Sequence, residues 1–157
     1  MRVHSVTVCP DRVDIVVQVE SARAMRTSLD EAVAERALEV LPGLARHRCF
    51  NEAGRTFAEE LADTEVPHLF EHVVLELMAE AGSPRSLKGE TEWDFKRDGH
   101  GVFRVSLEYD DDLVCLGAIK SAGKFVSYML RGGDMPDVRL ETGSLAGLRG
   151  WPAGGIS

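Results

Sequence analysis

His68, Glu71 and His72 fall within the segment HLFEHVVLEL, residues 68–77. Two histidines four apart on a helix project from one surface, one turn apart, and neutral imidazoles at that spacing can share one zinc ion at about 2.0–2.1 Å. Glu71 leaves the helix in a different direction and is placed to reach a water on that ion rather than the ion itself. This is the HxxEH order, the inverse of HExxH, in which the histidines hold zinc and the glutamate is the general base. The chemistry needs these types. Uncharged ligands leave the ion positive enough to lower the pKa of its water towards about 7, and a carboxylate can then take the proton. His68 and His72 are the candidate metal ligands, and Glu71 is the candidate catalytic residue.

A hydrolytic zinc site also needs a third protein ligand and an open position. Glu108 is the candidate, on a strand face shared with Arg104. Arg104 could hold a substrate carboxylate or an oxyanion, and Glu76, one turn beyond His72, is placed to orient a histidine from behind. His100, in the turn DGHG, reads as turn chemistry. The competing reading of the same residues is a solvated helix face with two exposed histidines, an edge-strand acid at 108 and a surface ion pair at Arg104. Leu75 lies between Glu71 and His68 on the helical wheel, and an apolar residue there points to a cleft wall or an interface.

The elements that must position these residues are legible in the patterning. Over residues 65–81, Val66, Leu69, Phe70, Val73 and Leu77 form one apolar stripe, Thr64 reads as the cap, Pro67 sits in the first turn, and Gly82 with Pro84 ends the helix. Residues 3–8 and 13–19 are β-branched and separated by CPDR, a hairpin signal. Ser28 with Glu31 reads as a capping box for a helix that ends at Pro42-Gly43. The stretch 44–61 is predicted to hold a short strand near 48–50, a turn at 51–54 and a helical turn near 57–61. Segments 91–97 and 102–109 read as strands around Asp98-Gly99, residues 113–130 as an apolar helix, and VRLET (138–142) as a last strand. Together they predict an α+β fold of ββα-type units, an antiparallel sheet covered by helices on one face. One domain spans 1–150, with a frayed tail over 151–157.

Of 157 residues, 44% are hydrophobic and 28% charged, and the formal net charge is −8. That charge repels a phosphate backbone, so nucleic acid is not an expected partner. No stretch approaches roughly 18 consecutive apolar residues, and no membrane partner is expected either. Cys9, Cys49 and Cys115 contain no CxxC pair, which predicts neither a disulfide framework nor a thiolate zinc site and fits a reducing, cytoplasmic setting.

The segments HxxEHxxLEL (His68, Glu71, His72, Glu76), Ala81-Gly82, Gly89-x-Thr91 and Gly101-x-Phe103-x-Val105-x-x-Glu108-Tyr109 occur in an order that resembles the N-terminal domain of cyanophycin synthetase, over about residues 38–122. In that family this domain precedes ATP-grasp and Mur-ligase-like domains. The present residues contain no GxxxxGK[ST] phosphate loop, so ligase chemistry is not expected of this chain alone. In some members the domain looks like a zinc metallopeptidase that cuts the polymer, and in others it is a polymer-binding platform. The resemblance implies zinc at His68 and His72, water activation by Glu71, and Glu108 as the best remaining third ligand. The expected function is a zinc-dependent, peptidase-like hydrolase acting on an amide or isopeptide bond of a peptide or polypeptide, cyanophycin-like or otherwise. The alternative is a non-catalytic peptide- or partner-binding module with a vestigial metal site. A homo-oligomer is left open.

Overall fold

The computed structural model describes residues 1–21, 25–49 and 56–150. β1 (Arg2–Val8) and β2 (Arg12–Gln18) form an antiparallel hairpin. β2 then pairs with β4 (Val102–Glu108), and β4 with β3 (Gly89–Trp93), giving a four-stranded antiparallel sheet in the order β1-β2-β4-β3. Alternation decides the faces. Val13, Ile15, Val17, Phe103, Val105 and Leu107 are buried on one side, and Asp14, Arg104 and Glu108 lie on the other. β1 runs past the edge of the helical cover, and all seven of its residues are exposed.

The helices are α1 (Ala32–Val40), α2 (Phe57–Glu60), α3 (Val66–Glu80), α4 (Phe95–Asp98), α5 (Asp112–Arg131) and α6 (Val138–Ala146). α3 is central, packed between β3 and β4 below and α5 beside it. Eleven of its 15 residues are buried, so the stripe on the wheel is only half of its contact surface. The opposite side is sheltered too, and Glu71, His72 and Glu76 are buried with it. α3 stops where Gly82 takes φ 102°, a conformation that costs glycine little, and Ser83 N–H returns to Met78 O at 2.9 Å.

Several local expectations change. Ser28 forms no capping box: its hydroxyl donates to Asp63 at 2.7 Å, residues 27–29 make a 3-10 turn, and Asp30 accepts from Ala32 N–H at 2.9 Å. The N-cap of α3 is Glu65 without a side-chain bond, because the Thr64 hydroxyl faces His68 Nδ1 at 2.8 Å. The strand predicted over 91–97 ends at Trp93, where Asp94 caps the short α4. VRLET is helical, with Asp137 accepting from Leu140 N–H at 3.1 Å. Arg48 makes an isolated bridge with Thr56. Phe50, the turn expected at 51–54 and the tail 151–157 lie outside the described residues. By length and composition alone α5 is apolar enough to cross a membrane, although lysines interrupt its apolar run, and half of its most apolar stretch is buried within the fold.

Candidate metal centre

The first turns of α3 carry His68 and His72, and the segment between α1 and α2 lays His47 and Cys49 against them. His72 Nε2 lies 3.1 Å from His68 Nε2, and Cys49 Sγ lies 3.8 Å and 3.7 Å from the two nitrogens. A tetrahedral zinc with ordinary Zn–N and Zn–S lengths holds two nitrogens about 3.3 Å apart and a nitrogen and sulfur about 3.6 Å apart. Cys49, His68 and His72 are a three-donor group that could hold a metal ion. The donor set fits zinc in both type and spacing.

Hydrogen-bond contacts behind the rings hold their Nδ1 edges. Glu76 is fully buried and receives Arg85 Nη1 at 2.8 Å and Nη2 at 3.3 Å. Although burial opposes its charge, the His47 and Arg85 bonds hold its carboxyl down at about 2, so it is an acceptor. His47 Nε2 therefore donates to Glu76 Oε1 at 2.8 Å, and its Nδ1 is in hydrogen-bond contact with His72 Nδ1 at 2.9 Å. Desolvation, with His68 and His47 nearby, pushes His72 down to about 2, and desolvation also lowers His68. Thr64 Oγ1 accepts from His68 Nδ1–H at 2.8 Å. The two Nε2 atoms thus face each other while both Nδ1 atoms are in contact with other partners, an arrangement a shared cation satisfies. Phe57 stacks on His72 at 4.0 Å between ring centroids and meets His68 edge-on at 5.3 Å, so neither ring turns freely.

Glu71 occupies the neighbouring wall. Its Oε2 is 3.4 Å from His72 Nε2, and its Oε1 accepts from Thr91 Oγ1 at 2.8 Å. Gly89 makes room for it: a Cβ at that position would stand 2.8 Å from Glu71 Cγ. Burial raises the Glu71 carboxyl to about 7, against the Thr91 bond. Burial likewise pushes the Cys49 thiol up to about 12, so loading a metal must displace its proton. The group opens into a cleft of about 1110 Å³.

A family model for the cyanophycin synthase-like N-terminal domain matches residues 14–131, more than half of the chain. The chain belongs to that family. The match runs from β2 to the end of α5 and so takes in the whole donor group, Glu71 and both strands beside it. A search of curated proteins returns no match.

Within this cyanophycin synthase-like domain the nominated residues separate into two sets. His68, Glu71 and His72 converge, and Glu76 reaches the group through His47. Arg104 is on the outer face of β4, turned from α3, and Glu108, on the same face at the strand's end, lines the cleft but is not among the three grouped donors. Glu108 Oε1 accepts from Lys88 N–H at 2.7 Å, and Arg104 pairs with Asp98 at 2.8 Å. Strand alternation explains their position: Phe103, Val105 and Leu107 take the side that faces α3. His100 packs its ring on Phe95 at 4.9 Å. Two members of the site were missed, His47 and Cys49. The signal available was RHRCF itself, in which a histidine and a cysteine two apart share one extended face.

Proposed function

We propose that this chain is a zinc-dependent, peptidase-like hydrolase acting on an amide or isopeptide bond of a peptide substrate, cyanophycin-like polymers among them. The carrying observation is the pair of Nε2 atoms 3.1 Å apart, with a cysteine sulfur as third donor and a carboxylate at 3.4 Å. When bound, zinc supplies a Lewis acid for the carbonyl oxygen and makes water more acidic. Glu71 takes the proton from water as the water oxygen attacks the carbonyl carbon. It returns that proton to the nitrogen as the C–N bond breaks, so water is consumed and an acid and an amine leave. The Glu71 carboxylate, 3.4 Å from His72 Nε2, is within reach of a water held at the donor group. Thr91 aims the carboxylate.

The test compares zinc-loaded protein with zinc-loaded Glu71→Gln on a pool of blocked peptides read by mass spectrometry. Hydrolysis by the parent, reduced about 10²–10⁴-fold in the variant at unchanged zinc content and melting temperature, supports the reading. A non-catalytic binding module gives equal, background hydrolysis in both proteins.

A further inference from the structure

β3 is an edge strand, and its free edge lines the cleft that holds the donor group. Glu108 N–H donates to Lys88 O at 2.9 Å, which fixes the ladder phase: residues 88, 90 and 92 turn their peptide groups to β4. Gly89, Thr91 and Trp93 turn theirs outward, and among the described residues these outward groups have no protein partner. The row spans about 13 Å, the length of four residue steps. Its side chains are not idle. Thr91 holds Glu71 at 2.8 Å, Gly89 leaves the space that Glu71 fills, and Trp93, 54% exposed, stands at the far end against Phe95.

We propose that the free edge of β3 binds the substrate as an extended polypeptide, added as a fifth strand, with Gly89, Thr91 and Trp93 supplying main-chain hydrogen bonds. This rests on the hydrolase reading and deepens it, since it restricts the substrate to a chain that can lie extended for several residues. A strand added there sits about 4.8 Å from β3, within one strand spacing of the residues that touch Glu71. Main-chain pairing carries the affinity, and Trp93 offers a flat apolar surface to one substrate side chain. An occupant continuous with the donor group is favoured over a second copy of this chain, because Gly89 and Thr91 on this edge are the residues that pack on and hold Glu71.

The experiment starts from a pool of acetylated, amidated decapeptides incubated with zinc-loaded protein. A cleaved member is then added to zinc-loaded Glu71→Gln, and amide hydrogen exchange is followed residue by residue. The amides of Gly89, Thr91 and Trp93 are expected to exchange freely in the unbound protein and to slow at least tenfold with peptide, while those of Glu90 and Glu92 are protected throughout. Trp93→Pro, which removes an outward N–H that no ladder bond uses, should raise KM at least fivefold more than Trp93→Ala does. Unchanged exchange at 89, 91 and 93, or equal KM in the two variants, overturns the proposal and leaves the hydrolase reading standing. Stoichiometric zinc with no decapeptide cut, or no uptake of zinc, overturns the underlying hydrolase reading and this proposal with it. Concentration-dependent protection of the same amides without peptide would assign the edge to a second copy and overturn the substrate role.

Discussion

The 3.1 Å between His68 Nε2 and His72 Nε2 brings two ring nitrogens together while the Nδ1 edge of each ring is held by another partner. The geometry is therefore built outward from Glu76, whose charge is neutralised by Arg85 and whose acceptor fixes His47, which in turn fixes His72. Replacing His47 by Ala leaves His72 Nδ1–H without this partner, and zinc affinity measured by chelator competition should fall about 10–100-fold. Cys49→Ser removes a direct donor, so the loss should exceed that of His47→Ala. In cobalt-substituted protein the thiolate-to-metal charge-transfer band should vanish in the serine variant and persist in His47→Ala.

At the scale of elements, two glycines let backbone approach buried carboxylates. A Cβ on Gly43 would stand 2.2 Å from Glu76 Oε2, so Gly43→Ala must move the acid that anchors the histidine relay. Overpacking of this kind costs about 1–3 kcal/mol, or roughly 2–12 °C in melting temperature for a chain of this size, which calorimetry can read. The central helix was legible because its apolar period and its Pro and Gly signals agree, and β2 and β4 because their period-2 alternation survives into burial. Glu108 shows the limit of that signal: alternation tells which residues share a face and leaves open which face meets the helix. Ser28 had the spacing of a capping box, but Asp63, 35 residues away, offers its hydroxyl a 2.7 Å bond. VRLET alternates like a strand, yet its burial continues at Thr142 and Leu145, a helical interval outside the five-residue window. His47 and Cys49 share one extended face in RHRCF, but local spacing does not show that the chain topology carries that face to α3.

For the whole molecule, pH separates the site's two kinds of burial. Burial lifts the Glu71 carboxyl from 4.5 to about 7, so the fold favours its protonated form. Its contribution is complete below about 4.5 and is lost as pH rises through 7, by at most about 3 kcal/mol. His72 works the other way: held neutral by burial, it contributes above 6.5 and loses that contribution as acid titrates the unfolded chain first. In metal-free protein, the melting temperature of Glu71→Gln relative to the parent should rise between pH 4.5 and 7, since the variant lacks only the first of these effects. A difference independent of pH would contradict the assignment. The account's central claim is that Cys49, His68 and His72 hold one zinc ion, and metal analysis of protein purified after growth with zinc, coupled to melting with and without chelator, tests it most directly. The predicted result is one zinc per chain, with a stabilisation of about 4 kcal/mol at a thousandfold excess over Kd that the chelator removes and Cys49→Ser lacks. Protein that carries no zinc and melts at the same temperature in chelator would contradict it.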